Sequence, residues 1–204
     1  MKKILALMLM LLTLMASVCS AEVQKSYDEK NSYAMIKTMK LAPATELDPE
    51  SVICINMQKI YAFDSRSYDN AIGRYIPTTY ITIGLMGNAA EKFENSMSYT
   101  VNKTRNILQL TNLSEKYNNK KQIVLASGRC VFKGNEVNDP FFKALKNAEA
   151  IAFKIGLKVK GNKALQYTID GDLLKEMSAI ANYDIYSDDN FLNIAQKANQ
   201  RPTR

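Results

Sequence analysis

Three groups of side chains in this 204-residue chain are of types that do chemistry: the thiols of Cys54 and Cys130, the carboxylates of Asp184, Asp188 and Asp189, and the tyrosines and arginines gathered between Tyr61 and Tyr80. The absence of histidine bounds what they can do. Without imidazole there is no Ser-His-Asp or Cys-His catalysis, and the commonest general base near neutral pH is missing. Two cysteines far apart in sequence are also a poor start for a four-ligand zinc site. Ser-x-x-Lys, Gly-x-Ser-x-Gly, Cys-x-x-Cys and Gly-x-Gly-x-x-Gly do not occur. Gly84-Leu85-Met86-Gly87 reads as a turn-like glycine pair, not a phosphate cradle. No cofactor and no metal is expected.

The carboxylate cluster offers oxygen ligands of the kind calcium takes, but its spacing is not that of an EF-hand loop and the central glycine is missing. The plainer reading is a polar loop in which Ser187 or Asp188 caps a final helix. A carboxylate-dependent hydrolase needs only proximity in the fold, and Asp188 or Asp189 would carry it. The tyrosine and arginine stretch points elsewhere. Tyr61, Tyr68, Tyr75 and Tyr80 with Arg66 and Arg74 are side chains that concentrate binding energy at interfaces. Tyr68, Arg74 and Tyr75 are the candidate binding residues. A second candidate is a lysine face of Lys154, Lys158 and Lys160, suited to an acidic partner, although edge-protecting lysines need no partner at all.

The first residues say where this chemistry would take place. Met1-Lys2-Lys3 precedes an apolar run from Ile4 to Val18, and Cys19-Ser20-Ala21 supplies small residues for cleavage. Residues 1–21 therefore read as a signal peptide that is removed. The run is short for a membrane span, which takes about 20 apolar residues, and Val18 is a poor neighbour for lipoprotein processing at Cys19. Export would place the mature chain where thiols oxidise. Cys54 and Cys130 are then expected to form a disulfide, for which the chain-entropy model gives about 4–5 kcal/mol across so long a loop. Cys54 has no charged neighbour in sequence, whereas Arg129 adjoins Cys130.

Loss of Lys2 and Lys3 with the leader takes the formal charge from +7 to +5. That excess is modest, and lysine outnumbers arginine 21 to 6. Neither feature is the footprint of a specific nucleic-acid binder.

The elements that must position these residues are legible in part. Residues 22–47 fit either a helix, through the capping-box spacing from Ser26 to Glu29, or a strand, through alternation of Tyr33, Met35, Lys37, Met39 and Leu41. Asp48-Pro49-Glu50 reads as a turn or helix start. Val52–Ile55 is a β-branched strand that could run to Phe63, and residues 64–79 lose all periodicity. A helical turn over Ala89–Phe93 is followed by strands at Ser96–Val101, Asn106–Leu113 and Gln122–Phe132, after an earlier strand at Thr79–Leu85. A polar turn fills Ser114–Lys120.

Asp139-Pro140 opens a helix. The alternating segment Ile151–Val159, the turn Gly161-Asn162 and the return strand Leu165–Ile169 read as a hairpin. Asp170 caps a helix from Leu173 to Ala181, and an amphipathic segment covers Asp188–Asn199. The sum is one α+β domain over 22–200, an antiparallel, meander- or sandwich-like sheet with a few short helices on one face or end, and a frayed tail at 201–204.

The expected function follows from export and from the poverty of catalytic groups. It is a secreted or periplasmic binding protein of a bacterial envelope, non-catalytic, meeting another protein or an anionic envelope component, with no transmembrane anchor after processing. An assembly factor whose exposed sheet edge takes a partner strand is the alternative, and the hydrolase ranks third. The leader makes a direct prediction: amino-terminal sequencing of the exported protein should begin at Glu22 or, with cleavage after Ser20, at Ala21. A start at Met1 would remove the basis for the expected compartment.

Overall fold

The computed structural model describes residues 23–28, 33–43, 51–87, 90–134, 139–158 and 163–189, with the backbone alone considered over 27–43. Residues 1–22, which include the expected signal peptide, Asp48-Pro49-Glu50, the expected turn at Gly161-Asn162 and residues 190–204 lie outside them.

The first segment resolves as strand: β1 (Gln24–Asp28) and β2 (Tyr33–Pro43). β3 (Val52–Ala62) follows, and its burial alternates strictly, with Ile53, Ile55 and Met57 all but inaccessible. A small hairpin, β4 (Tyr68–Asp69) and β5 (Arg74–Tyr75), occupies the stretch without periodicity. β6 (Thr78–Met86), β7 (Phe93–Val101), β8 (Thr104–Gln109), β9 (Thr111–Tyr117) and β10 (Ile123–Lys133) complete the middle of the chain. The last third holds α1 (Pro140–Asn147), β11 (Ala150–Leu157), β12 (Ala164–Asp170), α2 (Gly171–Asn182) and a 3-10 turn at Ile185–Ser187.

All pairings are antiparallel. One sheet runs β1-β2-β3-β6-β10-β9 and a second runs β12-β11-β7-β8. Their buried faces join in one apolar cluster, Ile53, Ile55, Ile81, Ile83 and Leu85 from the first and Met97, Tyr99, Ile151, Phe153, Ile155 and Ile169 from the second. Both helices bury their apolar stripes in it. Phe141 of α1 meets Tyr99 edge-on at 5.2 Å and stacks on Phe132 at 6.0 Å. The α+β expectation holds: among the described residues, two large antiparallel sheets and a two-stranded hairpin, with two short helices packed against the large sheets.

Several boundaries differ from the sequence reading for identifiable reasons. Asn106–Leu113 is two strands, because the chain leaves one sheet and enters the other at Leu110, whose N–H donates to the Asn95 carbonyl at 2.8 Å. Leu110 and Leu113 cross over Gly128 so closely that a Cβ there would lie 2.9 Å from Leu113 Cδ2. Ser114–Tyr117 is strand, and the turn shrinks to Asn118–Lys121, held by the Asn118 side chain accepting from the Lys120 and Gln122 amides. Phe93 opens β7 instead of closing a helical turn. Gly84 sits inside β6, not in a turn. Asp170 occupies the N-cap position of α2, but its side chain makes no capping bond, and Gly171 takes φ +50°.

The expected disulfide does not form: Cys54 and Cys130 are both free. The sheet explains this. Cys54 pairs across with Gly84, and Gly84 with Ser127, whereas Cys130 pairs with Ile81. The thiols are thus separated laterally by β6, about 9.5 Å for two strand spacings, and by three positions along β10. An odd offset turns a side chain to the opposite face. Cys130 points into the core, while Cys54 lies on the other, half-buried face. Such a pair cannot bridge without moving the backbone.

Burial pushes the Cys54 thiol up to about 11 and Cys130 to about 12. Arg129 does not counter this, because it turns to the outer face and lies 5.2 Å over the Tyr80 ring. The protein unfolded without reductant should accordingly take alkylating agent at both Cys54 and Cys130, as read by mass, and retain both as unreactive thiols when folded at pH 8. Because each pKa is raised by folding, the associated stability is complete below about pH 9. It should fall as pH climbs towards 11–12, by up to about 1.4 kcal/mol per thiol per pH unit. Replacing both cysteines by alanine should flatten that decline.

Candidate interaction site

The tyrosine and arginine stretch folds into the β4–β5 hairpin at one end of the molecule. Asp64 starts it. Its Oδ1 accepts from the Arg66 amide at 3.0 Å and the Ser67 amide at 2.9 Å, an Asx-type turn that reverses the chain just after β3. Burial pushes the Asp64 carboxyl up, but hydrogen bonds from Ser67 and Arg66 and the Arg66 charge outweigh it, holding the group below its ordinary value. At the hairpin tip Asp69 Oδ1 accepts from the Ala71 amide at 2.8 Å, and Gly73 supplies φ +66°.

Beneath the hairpin lies a second, smaller apolar cluster of Tyr61, Phe63, Tyr75 and Ile185, with Tyr183 and Tyr186 packed against it. The rings interlock: Tyr75 meets Phe63 edge-on at 5.3 Å and Tyr68 at 5.0 Å, geometry that adds to the burial itself. The 3-10 turn closes the cluster from the other side. Tyr186 Oη accepts from the Tyr75 amide at 2.6 Å, and Arg74 lies 4.6 Å over the Tyr186 ring while bonding Asp184 at 3.1 Å. Burial first, then the neighbouring Tyr186 and Tyr68, pushes the Tyr75 hydroxyl up. The turn is held in turn by β3. Lys59 Nζ donates to the carbonyls of Ala181 at 2.9 Å and Tyr183 at 3.3 Å, and Tyr61 Oη donates to the latter at 3.2 Å.

Of the three candidate binding residues here, Arg74 and Tyr75 are therefore part of the support, Tyr75 being buried. Tyr68 is at the surface. It lines an open depression of about 460 Å³ together with Arg66, Asp69, Ile76 and Lys133, and Ile72 beside it at the tip is 59% exposed. Lys133 was not foreseeable: it arrives from the far end of β10, and only the antiparallel pairing of β10 with β6 brings it to the hairpin. Ile72 carried no signal of its own, since Ile76 is a second large apolar residue in the same polar stretch.

The lysine face is less than a face. Lys154 is exposed on β11, and Lys158 donates to Asn95 Oδ1 at 3.2 Å. The Glu94 carboxylate lies over Gly156, the position between them, where an added Cβ would sit 2.1 Å from Oε2. Lys160 lies outside the described residues. The carboxylates also separate. Asp184 caps the 3-10 turn and faces Arg74, Asp188 binds Lys25 at 3.2 Å and the Tyr183 hydroxyl, and Asp189 is exposed. Among the described residues no three His, Cys, Asp or Glu side chains gather in a set that could hold a metal ion. Nor is any helix among them long and apolar enough to cross a membrane.

No protein-family model, no curated protein and no solved structure matches this chain. Its class is accordingly defined by its architecture alone, an α+β protein of two antiparallel sheets with an aromatic hairpin at one end.

The support is testable separately from binding. Tyr186→Phe removes the acceptor of the Tyr75 amide inside a buried cluster. It should cost about 1–3 kcal/mol of local stability, seen as faster hydrogen exchange at Tyr75 with exchange in β6 and β11 unchanged. Unaltered exchange at Tyr75 would mean that this bond does not hold the hairpin.

Proposed function

We propose that this chain is a non-catalytic binding protein working outside the cytoplasm, in or beyond a bacterial envelope, and that it takes its partner at the β4–β5 hairpin. The observation that carries the reading is an exposed Tyr68 and Ile72 presented on a hairpin whose underside is locked by interleaved rings. A surface held in advance loses little freedom on binding, which is how a small contact gains affinity. Arg66 and Lys133 beside Tyr68 add two cations. Arg66 is shared with Asp64, whereas Lys133 has no acidic partner among the described residues. A ligand with an anionic group next to an apolar or ring-shaped one suits this combination. Another protein or an anionic envelope polymer offers both.

The leader supports the compartment, and the chemistry of the side chains supports the absence of catalysis. There is no imidazole, and burial holds both thiols protonated near neutral pH. Free thiols are compatible with export here because neither can reach the other. The assembly-factor reading draws on a different observation, a free and regular sheet edge, taken up below.

A photo-crosslinking residue placed at Tyr68 or Ile72 in native cells should capture one discrete envelope component, which the same residue at the exposed Lys175 of α2 does not. Reversing the cations (Arg66→Glu with Lys133→Glu) should weaken that capture about tenfold or more, equivalent to about 1.4 kcal/mol, with the unfolding midpoint kept. Identical capture from positions 68 and 175 would remove the hairpin as the site.

A further inference from the structure

The free edge of β8 is built to pair with another strand, and we infer that its occupant is β8 of a second copy of this chain, joined antiparallel about a two-fold axis at Ile107. This stands independently of the hairpin reading. The argument begins at the turn joining β7 to β8. Asn102 and Lys103 both have positive φ, +49° and +66°, and Val101 faces Thr104 across them. A two-residue hairpin of this type makes the closing pair a hydrogen-bonded one. Alternate pairs are then hydrogen-bonded along the ladder, and the Leu110 amide donating to the Asn95 carbonyl at 2.8 Å keeps the same phase at its far end.

Thr104, Asn106 and Leu108 therefore direct their main-chain groups to β7. Arg105, Ile107 and Gln109 direct theirs outward, where no described residue meets them. Their side chains share the solvent face of the sheet, and Ile107 is 63% exposed, more than any other large apolar side chain among the described residues.

Register selects the partner. With Ile107 opposite Ile107 of the second copy, Arg105 stands opposite the neutral Gln109 on both sides. All three outward residues then form hydrogen-bonded pairs, about six new main-chain bonds. A cross-strand isoleucine pair adds to them. Sliding one copy by two residues loses a pair, and sliding it by four towards the turn sets arginine against arginine. The edges at β9 and β12 do not offer this. β9 has two register shifts against β10 and a positive φ at Asn112, devices that twist an edge away from pairing. β12 shows solvent Gln166, Thr168 and Asp170, with no apolar residue among them. The contact is small, so the dimer should be concentration-dependent, with a Kd of about micromolar or weaker.

Sedimentation of the purified protein from about 1 to about 500 µM should show a monomer–dimer equilibrium of that strength. Ile107→Lys, and separately Ile107→Pro, whose missing N–H is an outward one, should each weaken it at least tenfold, with thermal unfolding unaltered in the lysine variant. Ile107→Cys should give a disulfide-linked dimer on oxidation. A monomer throughout, with no link through position 107, would overturn the inference. So would growth beyond a dimer, since that marks pairing of β8 with β12 of the next copy, where Arg105 can face Asp170.

Discussion

Among the described residues, Lys59 is the one charged side chain taken almost wholly out of water, at 5% exposure. A buried ammonium is tolerated only where it is fully engaged. Here it faces the carbonyls with which α2 ends, the negative pole of that helix. The bond fastens the centre of β3 to the last turn of α2. The hairpin end rests on that fastening together with the Tyr61 hydroxyl on the Tyr183 carbonyl and the Arg74–Asp184 pair. The chain leaves α2 at Tyr183, makes the 3-10 turn, and sets Ile185 and Tyr186 under Tyr75. Remove the anchor and the wall that the 3-10 turn gives the small cluster is weakened, and with it the backing of the surface that Tyr68 belongs to.

A second constraint, the two-residue period of a strand, decides several outcomes that look unrelated. It separates the cysteines, because an odd offset across β6 sends one thiol into the core and the other to the opposite face. It leaves both thiols protonated, because each ends in a place where burial penalises the thiolate. The same parity sorts β8 into groups that serve β7 and groups that face outward. In each case the side chain or main-chain group has no freedom to choose. The register of the sheet chooses for it.

The hairpin shows how support and contact divide within one cluster. Tyrosine and arginine are valued at interfaces for bulk, rigidity and several donors, and those properties serve an internal joint equally well. Arg74 and Tyr75 are used for the joint and Tyr68 for the surface. Residue type did not distinguish them. Packing did: Tyr68 and Tyr75 are cross-strand partners, but Tyr75 is buried within the Tyr61 and Ile185 cluster, whereas Tyr68 lies outside it and stays exposed.

Much of the fold was legible in the chain itself. Alternation identified β11 and β12, since strands with one buried face record it every second residue, the β-branched run Val52–Ile55 marked β3, and Asp139-Pro140 marked the start of α1. The ambiguous stretch 33–43 could be assigned only once β3 lay beside it, because a capping box and an alternating run are both local signals and the neighbour decides between them. The break at Leu110 carries no local mark. The strand ends there because the two sheets meet over Gly128. By itself, then, the sequence determined the absence of imidazole chemistry and the α+β character, both of which depend on composition or short-range period. The free thiols, the division of labour among Tyr68, Arg74 and Tyr75, and the arrival of Lys133 were decided by tertiary structure alone. Each rests on which strands become neighbours and in what register, a property of pairing over long separations that no local stretch of residues encodes.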